Sequence, residues 1–394
     1  MDLSYSAEHE AFRGEVRDFI ARHGKDAPHG TTPSIAAMRA WQALLIEHGY
    51  AARTIPKEYG GYGAAPDILK SRIIAEEFIA AGLPMAMANQ GISMLVPTLL
   101  ELGTEEQKQK WIAPTLRGEV IWCQGYSEPG AGSDLAAIST RATEDGDDFI
   151  INGQKIWTST AAQADMIFCL VRTEPDKPKH EGISYLLFSM KTPGIEVRPL
   201  VTMTGRAEFN EVFFTDVRVP KSQIVGGRGQ GWFVANATLR HERGMLGDPN
   251  QAGTRIKALA DLMMNEEVDG RRLMDNPALR DRLLKLQARA MAMEYHSLRL
   301  LTASAKKDDA ILPRLIVKLM GCELNHQLAG FAIDALGELG LLTSDSPHRR
   351  NSGMWQTNFM FDLGLIIGGG TAQIQKNIIS ERGLGMPREP KAAV

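Results

Sequence analysis

Cysteine is scarce in this chain of 394 residues: Cys123, Cys169 and Cys322 are scattered, and no C-x-x-C occurs. An odd, dispersed set excludes a disulfide framework and a cysteine zinc site, and fits a reducing compartment. The nine histidines form no H-x-x-x-H or H-E-x-x-H pair, so no metal site is expected. Charge of one sign is lacking too. Lys+Arg 44 against Asp+Glu 47 gives a net charge of −3, which offers no bulk electrostatic case for nucleic acid. No apolar run reaches the roughly 18 residues that mark a membrane span, and the opening "MDLSYSAEHEAFRGEV" is too acidic and polar for a secretory signal. Internal repeats and low-complexity tracts are absent. What is left reads as a cytoplasmic chain, 44% hydrophobic and 23% charged, long enough for two or three domains.

The hydrophobic period changes twice. Residues 1–118 read as helical. In "SAEHEAFRGEVRDFIARHG", Phe12, Val16, Phe19 and Ile20 recur at helical spacing between a Ser6 N-cap and a Gly24 stop. "TEEQKQKWIAPTLRG" opens with the Thr104-x-x-Gln107 capping box. Over 119–230 the pattern shortens to strands rich in Val, Ile and Phe: "ADMIFCLVRT", "GISYLLFSM", "IEVRPLV" and "NEVFFTDVRVP". Asn152-Gly153 predicts a hairpin turn. A small β-sandwich or barrel is expected there. Residues 231–394 return to long amphipathic helices and form a C-terminal bundle. The fold class is therefore α+β and multidomain, in the order helices, β-domain, helices.

Three stretches carry possible chemistry. "GGRGQGW" (226–232) lacks the surroundings of a phosphate loop and reads as a turn joining the β-region to a helix. "CQGYSEPGAGSD" (123–134) strings Tyr126, Ser127, Glu128, Ser133 and Asp134 along a loop rich in hydroxyls and exposed amides, and "KIWTST" (155–160) sets an indole beside three hydroxyl residues. An aromatic face next to side-chain donors suits a planar heteroaromatic ligand; a surface turn and a core tryptophan are the plainer alternative. In "GWFVANATLRHERGML", Trp232, Ala235, Leu239, Glu242 and Leu246 step by 3 and 4, placing Glu242 on the apolar face of its helix. A carboxylate there is desolvated toward the range of a general base, or else forms a structural pair with Arg243 or Arg240.

Four stretches together resemble the acyl-CoA dehydrogenase family over nearly the whole chain: "IPKEYGGYG", "YSEPGAGSD", "INGQKIWTS" and "GGTAQIQKNIISERGLGMPR". The resemblance implies an N-terminal helical domain, a middle β-domain and a C-terminal four-helix bundle. It also implies FAD, an acyl-CoA substrate, and an electron-transfer flavoprotein as acceptor. By matching positions, Gln124, Tyr126, Ser127, Ser133, Trp157, Thr158, Ser159, Thr371 and Gln373 are expected to bind the cofactor, with Trp157 near the ring system and Ser159 facing N5. Ser133, Arg243 and Gly369 are expected on the substrate side.

Two departures stand out. The family's commonest base immediately precedes a Gly-Thr pair, and here Gly370-Thr371 follows Gly369, which has no carboxylate. Some members acting on branched, long-chain or steroid side-chain esters carry the base in an E-R pair on the first helix after the β-domain. Glu242-Arg243 matches that position, so Glu242 is the expected base. Gly369 keeps its N–H for the thioester oxygen and vacates volume, which favours a bulky, branched or cyclic acyl group. Second, the family's R-x-x-F-G motif, which contacts a neighbouring subunit's FAD, has no match in "NEEVDGRRLMDNPALRDRL". Either a homotetramer or homodimer, or a hetero-oligomer with a paralogous chain, is compatible with that. Two alternatives to a self-sufficient dehydrogenase follow: a flavin-binding or FAD-sharing subunit of such a hetero-oligomer, and a relative running oxidase, monooxygenase or desulfinase chemistry.

Overall fold

The computed structural model describes residues 5–30, 33–243, 249–268, 270–306, 311–342 and 346–390. They fall into two compact units. One comprises Met1–Thr202 with Ala207–His241, the other Glu242–Val394 with Met203–Arg206. Among the described residues no helix is long and apolar enough to cross a membrane.

The first unit opens with α1 (Ala7–His23), α2 (Ile35–Glu47), α3 (Ile68–Ala80), α4 (Val96–Leu102) and α5 (Glu105–Leu116). Their starts are those expected from sequence: the Ser6 hydroxyl accepts from the His9 amide, and Thr104 and Gln107 form the reciprocal capping box. Phe12, Val16 and Phe19 of α1 interleave with Trp41, Leu45, Ile73 and Phe78. A π-helical turn at Gly91–Leu95 precedes α4. A Cβ at Gly91 would meet Trp122 Cδ1 at 2.7 Å, so the close approach requires glycine.

The sheet follows: β1 (Trp122–Gly125), β2 (Arg141–Asp145), β3 (Asp148–Lys155), β4 (Met166–Arg172), β5 (Ile183–Ser189), β6 (Ile195–Leu200), β7 (Phe209–Pro220) and β8 (Ile224–Val225). Its order is β6-β7-β3-β2-β4-β5-β8, with β1 pairing parallel to β4. The apolar runs of β4 and β5 are buried on both faces, as unbroken hydrophobic strands require. Phe168, Leu170, Tyr185 and Leu187 enter one core, and Ile167, Cys169, Val171 and Leu186 another.

The Asn152-Gly153 turn is corrected. The β2–β3 hairpin turns at Gly146-Asp147, where Asp145 pairs with Asp148, and Asn152-Gly153 lies inside β3. The β3–β7 register shifts there. Gly153 takes φ +150°, and a Cβ would strike Thr140 at 2.6 Å. The pair marks a β-bulge, where glycine answers the same steric demand as in a turn. Asn152 ties the bulge to Asp216, which donates its amide at 2.9 Å.

After the sheet, α6 (Gly231–Arg243) packs Val234 and Ala235 into the core of the first unit. The Thr238 hydroxyl on α6 meets that of Thr98 on α4 at 3.0 Å and the Tyr185 hydroxyl on β5 at 3.5 Å, all fully buried. The "GGRGQGW" stretch is the connection expected: Gly226 and Gly229 take positive φ, and Gly231 starts the helix.

In the second unit, α7 (Pro249–Asn265), the short ribbon β9 (Glu267–Val268) and β10 (Arg271–Arg272), α8 (Pro277–Ala305), α9 (Ile311–Leu336), α10 (Met354–Ile367) and α11 (Ala372–Ile378) follow in order. Leu259, Met263, Met293, Leu328, Phe331 and Trp355 fill the bundle's core. Asp362 of α10 is fully buried and is held by Arg255 of α7.

Candidate active site

Gln124 lies half-buried in β1, and Tyr126 just beyond the strand is buried, edge-on to Phe168 and Tyr185 at 6.1 and 6.2 Å. The Ser127 carbonyl accepts the Ile156 amide at 2.9 Å, stitching the 123–134 loop to the end of β3. Beneath this stitch lies a pair that sequence reasoning missed. Lys155 is fully buried and donates to the Glu128 carboxylate at 2.7 Å and the Tyr126 carbonyl at 3.1 Å. Glu128 also accepts the Ser139 amide at 2.6 Å and the Thr140 amide at 2.9 Å. Burial alone pushes the Glu128 carboxyl up. The Lys155 charge and hydrogen bond, with the donors of Thr140 and Ser139, outweigh burial and hold it at about 2. Opposite charges, one in each of the two motifs, were the available signal. Beyond this anchor the loop runs outward, and Gly130, Gly132 and Ser133 are exposed.

The "WTST" turn is strained. Trp157 sits at φ +59° and Thr160 at φ +61°, values costly for side-chain-bearing residues. Asn210 of β7 holds it. The backbones of Thr158 and Asn210 exchange hydrogen bonds at 3.0 and 3.1 Å, and the Asn210 Nδ2 donates to the Thr158 carbonyl at 2.9 Å. Trp157 consequently projects outward, the residue 57% exposed and its ring edge-on to that of Phe209. Ser159 is half-buried, and Thr158 turns inward. The Thr158 hydroxyl and the Asn210 Oδ1 are buried with no hydrogen-bond partner among the described residues. No local pattern announced Asn210, which lies on a strand of ordinary composition, far along the chain from both loops.

Glu242 and Arg243 close α6; their side chains lie outside the described residues. The preceding stripe behaves as its periodicity predicts, with Ala235 buried and Trp232 and Leu239 packed against the core.

The second unit carries Gly369, Thr371 and Gln373. Gly369 takes φ +63° and Gly370 φ +96°. A Cβ at Gly370 would meet Gln375 Nε2 at 2.7 Å. Thr371 caps α11, its hydroxyl accepting the Ile374 amide at 3.2 Å, and Gln373 is exposed. So the first unit gathers Gln124, Tyr126, Ser127, Ser133, Trp157, Thr158 and Ser159 on two stitched loops, and the second gathers Gly369, Thr371 and Gln373 on one.

Models of the acyl-CoA dehydrogenase N-terminal, middle and C-terminal domains match residues 6–119, 123–217 and 229–384. Acyl-CoA dehydrogenase IpdE1 of Mycobacterium tuberculosis is 37% identical over 97% of this chain and 99% of its own length. Among solved structures, the Tcur3481-Tcur3483 steroid ACAD superposes with a TM-score of 0.80 at 30% identity, over 99% of this chain and 100% of that one. The ChsE4-ChsE5 complex from Mycobacterium tuberculosis gives 0.80 at 31%, with the same coverage. With three domain models in order and end-to-end relatives, the chain belongs to the acyl-CoA dehydrogenase family.

Proposed function

We propose that this member binds FAD and dehydrogenates the α,β-bond of a bulky, branched or cyclic acyl-CoA, with Glu242 as the base. The observation that carries this is the backbone at Gly369. The position that commonly bears the carboxylate is in a left-handed conformation that disfavours any side chain, so the glycine belongs to the loop's design and the base has to come from elsewhere. The E-R pair at the end of α6 supplies it. One of the similar structures is a steroid ACAD, which agrees with a bulky acyl group.

Members of the family are FAD-dependent, and the residues present fit that cofactor. An indole displayed on a strained turn offers a face for a planar ring system. The orphaned hydroxyl of Thr158 and the half-buried Ser159 beside it offer polar partners. Gln124, Tyr126, Ser127 and Ser133, with Thr371 and Gln373, complete the proposed set. FAD, when bound, supplies the acceptor for the substrate's β-hydride. The Glu242 carboxylate takes the α-proton, the Gly369 N–H donates to the thioester oxygen as negative charge gathers there, and Ser133 and Arg243 hold the CoA ester. Electrons then pass to an electron-transfer flavoprotein, and the compartment is cytoplasmic. The proposed domains span 1–118, 119–230 and 231–394.

A second reading has its own support. Around the ribbon at 267–272 there is no R-x-x-F-G motif, and two of the similar structures are named for pairs of chains, Tcur3481 with Tcur3483 and ChsE4 with ChsE5. On that reading this chain shares FAD with a paralogous partner rather than forming a homo-oligomer.

The test is spectroscopic. Flavin-loaded enzyme, purified alone and co-expressed with a paralogue, should bleach anaerobically with a ring-bearing CoA ester. Glu242→Gln should keep its flavin and lose bleaching by at least about 10³-fold. Full bleaching by the variant, or best turnover on butyryl-CoA, refutes the assignment.

A further inference from the structure

Glycine side chains cannot fix two successive left-handed residues, so the turn at Gly369 and Gly370 is set by what its carbonyls meet. Two buried side chains meet them. Lys318 of α9, 3% exposed, donates its Nζ to the Ile366 carbonyl at 3.0 Å and to the Gly370 carbonyl at 2.6 Å. Gln375 of α11, also buried, donates its Nε2 to the Gly369 carbonyl at 3.1 Å. Three carbonyls within five residues are thereby drawn toward the bundle. The Gly369 amide lies between two fixed points, the Gly368 N–H that donates to the Gly364 carbonyl at 2.7 Å and the Gly369 carbonyl held by Gln375, so the turn sets its direction. Among the described residues, neither the Gly369 nor the Gly370 amide donates to a backbone carbonyl.

The choice of a lysine is informative. Lys318 lies in the apolar run "RLIVKLMG", and burying an ammonium is expensive unless its charge is used. It sits at the carboxyl end of α10, where the helix dipole is negative and the last carbonyls lack helical partners. A neutral donor could satisfy such carbonyls. An ammonium also places a fixed positive charge beside the peptide groups of the turn.

We propose that Lys318 is a positioning residue for the dehydrogenation: it locks the Gly369–Gly370 turn so that the Gly369 N–H presents to the thioester oxygen. The inference rests on the assignment of Gly369 made above, and Lys318 acts through the backbone rather than on the substrate.

The test compares wild type, Lys318→Met and Lys318→Arg as flavin-loaded enzyme, with the partner chain if the two co-purify. A 3-thia-acyl-CoA is titrated against pH, and its long-wavelength charge-transfer band reports ionisation of the bound α-carbon. Lys318→Met should reduce the rate of flavin bleaching by about 10²-fold, the size of losing one enolate donor, with KM changed less than about threefold. It should also raise the pH at which the bound 3-thia ester ionises by one unit or more. Lys318→Arg should recover part of both. If Lys318→Met fails to fold, Lys318→Gln is read the same way. A wild type that never bleaches defeats the underlying assignment. A wild type that bleaches, with a variant matching it in rate and in ligand ionisation, overturns the role of Lys318. A variant that loses only thermal stability overturns it equally.

Discussion

Replacing Lys155 by methionine tests the anchor beneath the two loops. The substitution preserves length and removes the charge, leaving the Glu128 carboxylate buried against the Ser139 and Thr140 amides. Holding that carboxyl at about 2 rather than its ordinary 4.5 is equivalent to about 3 kcal/mol. Breaking a buried ion pair from one side costs about 3–5 kcal/mol. The sign with pH follows from the depressed value. This stabilisation is complete above about pH 4.5 and disappears as pH falls toward about 2. Melting should drop by roughly 10 °C near neutrality. The gap between wild type and variant should narrow on acidification from pH 5 to 3, measured by circular dichroism before aggregation sets in. Flavin should leave the variant at lower urea than wild type, because both loops hang on this pair. Adding Glu128→Leu should restore much of the loss, since an apolar pair of similar volume avoids the stranded charge. An unchanged melting temperature at pH 7, or a gap that does not narrow in acid, refutes the reasoning.

Two further predictions concern backbone geometry. Gly369→Glu, made in the Glu242→Gln enzyme, should not restore turnover above about 1% of wild type and should cost about 1–2 kcal/mol, because φ +63° is unfavourable for a side-chain-bearing residue; substantial rescue in a stopped-flow bleaching assay contradicts this. Asn210→Ala removes the Nδ2 bond to the Thr158 carbonyl, should cost about 1 kcal/mol, and should weaken flavin retention by letting the Trp157 turn relax; unaltered flavin fluorescence and affinity count against it.

Periodicity and capping were legible in the sequence because they depend on neighbours along the chain. The Ser6 and Thr104 caps and the apolar face of α6 are of that kind. Asn152-Gly153 misled because glycine at positive φ serves a bulge as well as a turn, and only pairing with β7 separates the two. Lys155, Asn210 and Lys318 escaped because each acts on residues far from it in sequence: Lys155 on Tyr126 and Glu128, Asn210 on Thr158, and Lys318 on Ile366 and Gly370. For Lys318 the only local sign was a charge isolated in an apolar run, which marks burial without naming a partner. The loss of the carboxylate at 369 was visible; that its backbone is left-handed was not.

The hydroxyl contacts among Thr98, Thr238 and Tyr185 bear on the helix that carries the proposed base in a way that stability does not capture. Such contacts add little net free energy, yet they pin the axial rotation of α6 against α4 and β5. Position 242 is four residues beyond Thr238 and therefore on the same helical face. One residue step of rotation swings that face by about 100°. Three buried oxygens thus act as an angular index for the helix, fixing which of its faces turns toward α4 and β5.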